Sequence, residues 1–286
     1  MFLQQILNGL TMGSIYALLA VGVTMIYKAM GMMNFAHGDM IMVSAFIALS
    51  IYHLGVPLPA AILLTVIVAM VLGLALERFI YRRVRVGMNL LIATVGVSFI
   101  MRNSGIVIWG AETQAFPTLF DNTPIQVNGF LIMPQNIYII LIALCFVVAL
   151  QLFFYKTRTG KRMRIAASDR EGAAMMGINV TQTRFLIFGI SSAFAAVAGI
   201  LLAPIFYVST NMGSMVGLKA FSAAILGGFG NIVGGMVGGI LLGIIEAIGA
   251  TYISTAYRDV IAFCVLFIIL YFKPTGLLGK QIEEKL

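Results

Sequence analysis

Apolar runs of about 20 residues follow one another along nearly the whole chain, and they limit its fold more than any other feature. A helix rises 1.5 Å per residue, so about 20 residues span the ~30 Å hydrocarbon layer. Within that layer each backbone N–H and C=O must be paired internally. Nine runs stand out, near 5–27, 34–53, 60–80, 88–108, 135–155, 185–206, 217–231, 232–252 and 256–272. The seventh is short and reads as a re-entrant or broken element. The expectation is an all-α integral membrane protein with eight or nine transmembrane helices, and residues 1–286 form one membrane domain. Composition agrees, with 61% hydrophobic residues, 10% charged residues and a mean hydropathy of +1.04. The first run has no positive charge before it and no small-residue cleavage site after it, so it reads as a retained span.

Basic residues set the orientation. One cluster holds Arg78, Arg82, Arg83 and Arg85, and a larger one runs from Lys156 through Arg158, Lys161, Arg162, Arg164 and Arg170 to Arg184. Two spans separate the clusters, so both can face the cytoplasm. The 109–134 connection carries Glu112 and Asp121 and no Lys or Arg, as an outer loop should. Lys273, Lys280 and Lys285 follow the last span. The amino terminus is therefore expected outside and the carboxyl terminus in the cytoplasm. The net charge of +8 follows the membrane boundaries and does not point to nucleic acid. Trp109 and Tyr155 stand at span ends, where amphipathic rings favour the headgroup layer.

Glycines recur at helical spacing. Gly230, Gly234 and Gly238 form one row, Gly235, Gly239 and Gly243 another, and Gly9, Gly13 and Ala17 a third. Small residues four apart allow helix backbones to approach closely, within one protomer or against a partner. Signs of catalysis are lacking. No G-x-x-x-x-G-K-[ST] string occurs, and GLLGKQ at 276–281 lacks both its spacing and its hydroxyl. The two histidines are isolated, and Cys145 and Cys264 read as packed thiols in apolar runs. The chain is expected to be neither an enzyme nor a holder of a metal or cofactor.

The stretch NFAHGDM at 34–40 places ionisable groups inside an apolar run. Gly31 and Gly38 bracket a point where a helix can start late or break. Asn34 is suited to cap that helix, and Asp39 to the positive field of its first turn. Two readings stand together: a capped helix start with His37 hydrogen-bonded to a neighbour, or Asn34, His37 and Asp39 lining and gating a pathway. Arg102 belongs with them as a pathway candidate, or else it snorkels to the outer interface. Glu246 receives no role, and Lys219, Arg258 and Asp259 read as charges near outer boundaries, either ordinary surface charges or contacts for a delivering protein.

The one sizeable inside loop is 156–184. It starts basic and continues into an amphipathic helix with Ala166, Ala167, Ala173, Ala174 and Met175, ending at Gly177, with Asp169 near its start. Its segment SDREGAAMMGINV resembles the coupling loop of ATP-binding-cassette permeases. More specifically, four strings in order resemble the branched-chain amino acid permease family, in its shorter permease subunit. They are NGLTMGSIYALLAVGVTMIY at 8–27, NFAHGDM at 34–40, GLKAFSAAILGGFGNIVGGMVGGILLGIIE at 217–246 and KPTGLLGK at 273–280. The resemblance implies that Asp169, Arg170, Glu171, Ala173, Ala174 and Gly177 meet an ATPase subunit. Gly172 departs from the pattern, standing where the motif commonly has an Ala. Also implied are a second related permease as heterodimer partner, two ATPase subunits, an extracytoplasmic binding protein and a place in the bacterial inner membrane. The implied activity is ATP-driven import of branched-chain amino acids by alternating access. Urea or short amides are the alternative cargo, and a proton-coupled carrier using His37 and Asp39 is the alternative mechanism.

Overall fold

The computed structural model of the chain describes residues 2–84, 87–118, 125–127 and 130–279. Arg85, Asp121, Lys280 and Lys285, all used above to orient the chain, lie outside the described residues. The helices in order are α1 (Phe2–Met30), α2 (Ala36–His53), α3 (Leu58–Leu76), α4 (Met88–Trp109), α5 (Pro134–Lys156), α6 (Arg158–Ser168), α7 (Arg170–Met175), α8 (Val180–Phe206), α9 (Met212–Gly227), α10 (Ile232–Tyr252) and α11 (Arg258–Phe272). A π-helical turn, Glu77–Tyr81, continues α3. Strands β1 (Ile125–Val127) and β2 (Phe130–Ile132) pair antiparallel with Ile125 opposite Ile132. This small hairpin, in the connection before α5, is the departure from an all-helical chain.

Each apolar run of the sequence corresponds to a helix, but among the described residues six helical stretches are long and apolar enough to cross a membrane. These are Gln4–Met30, Leu58–Tyr81, Met88–Trp109, Pro134–Lys156, Val180–Phe206 and Ile232–Tyr252. Nine crossings would need α2, α9 and α11 as well, and eight would need two of them. Of these, α9 has 16 residues and α11 has 15, while α2 has 18 and includes His37, Asp39 and His53. The seventh run also starts earlier than expected and stops at Gly227.

The chain divides into two compact units, with boundaries inside α1, α5 and α9. The first comprises residues 1–24, 120–143 and 218–286. Here α1 and α10 meet backbone to backbone. A Cβ on Gly9 would lie 2.8 Å from the Ile244 Cα, and one on Gly13 2.8 Å from the Ile240 Cα. Gly239 and Gly243 face Ala17 and Gly13 in return, while Gly234 and Gly238 on the adjoining row face Gly227 and Ala223 of α9. Gly230 is not part of either helical row. It lies in the turn before α10 with φ +82°, and Asn231 caps the helix by accepting from the Val233 and Gly234 N–H groups. The last carbonyls of α9, on Leu226 and Gly227, accept from Leu277 and Leu278, so this helix end is satisfied by later chain.

The second unit comprises residues 25–119 and 144–217. Its centre is α2, buried on nearly all sides from Ala36 to Leu49. Such all-round burial requires an apolar helix with protein on every face. Helix α4 runs parallel to α2 along its length, as three contacts with one constant offset establish. The Phe35 N–H donates to Thr94 (3.4 Å), Ser98 donates to Asp39, and Trp109 Nε1 donates to Ser50 (2.7 Å). Trp109 also stacks on Phe46, at 5.0 Å between centroids, so its indole N–H has a protein partner. On another side the first turns of α9 touch α2. Gly38 does not break the helix; a Cβ there would lie 2.6 Å from the Gly213 carbonyl, and one on Gly217 would lie 2.8 Å from the Gly38 Cα.

The outward faces are apolar. Leu63, Ile67 and Val71 on α3 and Leu141, Leu144, Val148 and Leu152 on α5 are exposed at helical spacing. Such surfaces suit hydrocarbon and would be an aggregation hazard in water. Cys145 and Cys264, expected to be packed, are exposed and unpaired on these apolar helices.

Gly239→Leu is expected to force α10 off α1 and to cost about 3 kcal/mol, through overpacking against main chain that cannot move aside. Gly96→Ala, where nothing lies within 4 Å, should be neutral or stabilising by about 0.5–1 kcal/mol. Thermal unfolding of both variants in detergent measures the contrast, and equal effects would contradict the close crossing.

Candidate functional site

The residues around the start of α2 carry two groups of polar contacts in the second unit. Gly31, with φ +74°, turns the chain after α1, and residues 34 and 35 lead into α2. The Asn34 side-chain oxygen accepts from the Ala36 N–H (3.2 Å) and from the Tyr81 hydroxyl (3.4 Å). It thus satisfies a first-turn donor although Phe35 occupies the cap position. Tyr81 belongs to the π turn and is fully buried beside Phe188. Asp39, 1% exposed, accepts from Ser98 and pairs with Arg102 Nη2 at 3.5 Å.

Arg102 is thus held by a carboxylate of another helix. It sits one turn beyond Ser98 on α4, and its guanidinium turns back towards the helix start, as helical side chains tend to do. The charge on Asp39 is matched across two helices. His37 is 2% exposed, and among the described residues its Nε2 has no hydrogen-bond partner. Of the four pathway candidates, Asp39 and Arg102 touch, and Asn34 reaches the π turn.

The basic connection folds as two helices, not as the single helix expected. Thr157 caps α6 by accepting from the Gly160 N–H, and Asp169 then ends α6 in extended conformation. The same Asp169 caps α7, its carboxylate accepting from the Gly172 N–H at 3.0 Å. A Cβ on residue 172 would strike that carboxylate, which gives the unusual Gly172 a local reason. At the other end Gly177, at φ +77°, donates to Ala174, and Ile178 donates to Ala173. These two bonds make a Schellman stop.

Between its caps α7 has two distinct sides. Ala173 is fully buried, whereas Met175 and Met176 are 84% and 73% exposed. Arg170 Nη2 donates to the Ala29 carbonyl at 2.6 Å, tying α7 to the last turn of α1. Burial first, and the charge on Arg184 second, push the Arg170 pKa below its ordinary value. Beside the α7 stop lies a cavity of about 330 Å³ lined by Arg162, Met163, Gly177, Asn179 and Gln182, among others.

Two ion-pair groups were missed by sequence reasoning. In the second unit, Glu77, fully buried at the start of the π turn, accepts from Arg184 Nε at 2.9 Å. In the first unit, Glu246 is fully buried and Lys219 is 8% exposed. Lys219 Nζ contacts Glu246 Oε1 at 2.5 Å and Asp259 Oδ1 at 2.6 Å, while Arg258 pairs with the same Glu246 oxygen. Lys219 also lies 5.9 Å from the Tyr16 ring centroid. These charges are paired with one another and not free surface charges. A balance of two cations and two anions in an otherwise apolar region was the available signal, because buried charges need partners.

The family model for the permease component of branched-chain amino acid transport systems matches residues 5–270. The chain is 39% identical to the high-affinity branched-chain amino acid transport system permease protein BraD of Pseudomonas aeruginosa, over 99% of this chain and 98% of that one. It is 36% identical to the corresponding LivH protein of Escherichia coli, over 99% and 97% of the two chains. A probable branched-chain amino acid transport permease protein, LivH, of Methanocaldococcus jannaschii is 29% identical over 96% and 92%.

Removing one partner of a buried pair strands the other. Asp39→Asn is expected to cost about 2 kcal/mol of stability, with Arg102→Gln similar and the double variant recovering about 1 kcal/mol. Chemical unfolding of the four proteins gives the coupling, and strict additivity would show that the pair is inert. Glu246→Gln leaves Lys219 with Asp259 and removes the carboxylate that Arg258 pairs with, and should cost about 3 kcal/mol, read in the same way.

Proposed function

We propose that this chain, which belongs to the family of permease components of branched-chain amino acid transport systems, is the membrane-spanning subunit of an ATP-driven importer of those amino acids. The proposal includes a second related permease, two ATPase subunits, an extracytoplasmic binding protein and a location in the bacterial inner membrane. The amino terminus lies outside, and the basic segment with α6 and α7 lies in the cytoplasm. With α2, α9 and α11 all counted, nine segments enter the bilayer; with the short α9 not crossing, eight do.

The observation that carries this reading is α7. It is short, capped at both ends, apolar on an exposed side and bonded through Arg170 to the end of α1. A rigid knob with Ala174, Met175 and Met176 presented outward fits a groove on a soluble partner. A force on it passes through Arg170 to α1 and through the buried Ala173 to its own support. Without a phosphate-binding loop of its own, the chain takes energy from that partner, and its helices alternate between inward and outward openings. Asn34, His37, Asp39 and Arg102 would act as a gate. The Asp39–Arg102 pair joins α2 to α4 beside the Gly38 crossing, so a shift of α9 strains it directly.

Reconstitution with the presumed subunits and binding protein tests the reading. Leucine uptake should require ATP, and urea should not compete. Ala174→Glu on the exposed face of α7 should lower uptake at least tenfold while leaving basal ATP hydrolysis by the ATPase subunits intact. Asp169→Ala removes the cap, about 1 kcal/mol, and should weaken uptake less severely. Full uptake by the Ala174→Glu complex, or uptake without ATPase subunits, would refute the proposal.

A further inference from the structure

A groove of about 590 Å³ lies where the end of α3 and the π turn meet the first turns of α8. Its lining is ordered along α3. Val71, Leu74 and Ala75 come first, with Phe185 of α8, and Arg78 and Arg82 come last, at the end of the helix. The groove is thus apolar along the hydrophobic part of α3 and cationic at the end.

The π turn sets up the cationic end. The Arg82 N–H donates to the Glu77 carbonyl at 2.8 Å, a five-residue closure that widens the turn. Glu77 is the carboxylate next in sequence to these arginines, yet its side chain is fully buried and held by Arg184 at 2.9 Å. Among the described residues neither Arg78 nor Arg82 makes an ion pair. Two guanidiniums four residues apart, without counter-charge, next to an open apolar groove, match a phosphate that carries an acyl chain. A free phosphate would have no use for the apolar length, and a neutral lipid would leave the two charges unmet.

We propose that this groove binds one anionic phospholipid, its phosphate on Arg78 and Arg82 and an acyl chain along Val71, Leu74, Ala75 and Phe185. The site shares Asn179 and Gln182 with the cavity beside the α7 stop, so the bound lipid lies against the support of that helix. It goes beyond the transport reading and does not depend on the cargo.

The test is native mass spectrometry of the purified full-length chain, and of its reconstituted complex, after exposure to phosphatidylglycerol or phosphatidylcholine. The expected result is retention of one phosphatidylglycerol in preference to phosphatidylcholine. Arg78→Gln/Arg82→Gln should reduce that retention about tenfold. Arg83→Gln, which removes an exposed guanidinium that does not line the groove, should leave it unchanged. Ala75→Phe fills the groove but keeps both charges, and should also lose the lipid; it decides the matter if the double variant fails to fold. Four results would overturn the proposal. These are equal retention of both lipids, equal loss with Arg83→Gln, displacement by millimolar inorganic phosphate, or a groove occupied by a neighbouring subunit in the complex.

Discussion

A helix can lie against another at backbone distance only where small residues, here mostly glycine, clear the way, and within the helical frame that the apolar runs impose this constraint decides which helices meet. Lipid is as apolar as a leucine side chain, so burying apolar surface gives little drive for one helix to join another. Dispersion and polar contacts at close crossings have to supply it. Gly9 and Gly13 against α10 supply them in one unit, and Gly38 against Gly213 and Gly217 in the other. Without the Gly38 crossing α2 would lack protein cover on that side, and its polar first turns would be exposed to hydrocarbon.

Because α2 is enclosed, it can carry charge. Asp39 sits next to Gly38, and the parallel course of α4 brings Ser98 alongside it and Arg102 one turn beyond. The same logic recurs in Glu77 with Arg184 and in Glu246 with Lys219 and Arg258. In each case a fully or almost fully buried carboxylate receives a cation from a different helix. Pairs of this kind contribute little net stability, since desolvation offsets attraction, but losing one partner is costly. They fix which helix faces which, and they are the natural places for a conformational change to register.

The α6–α7 segment works by different means. Caps close α7, Asp169 at one end and the Gly177 stop at the other, while Arg170 on the Ala29 carbonyl and the buried Met163, Ala166 and Ala173 join the segment to the rest. Rigidity comes cheaply to a six-residue helix only when both ends are fixed, because so short a helix is not stable by propensity. The exposed Met175 and Met176 are then held in place without being packed.

The amino-acid sequence alone determined that the chain is helical and membrane-embedded, because unbroken apolar runs of that length leave the backbone few other ways to pair. It also placed the helices to within a few residues, located the α7 stop at Gly177 and carried the family strings. The partners of the charges were not legible in it. Asp39 and Arg102 stand 63 positions apart, and Glu77 and Arg184 107 apart, so no local period connects them. Nor could the spacing of Gly230 with Gly234 reveal that the first lies in a turn, since a row of small residues reads the same until a cap ends it. Tertiary structure decided these matters, because which helices cross, and at what register, depends on contacts between surfaces that no single segment contains.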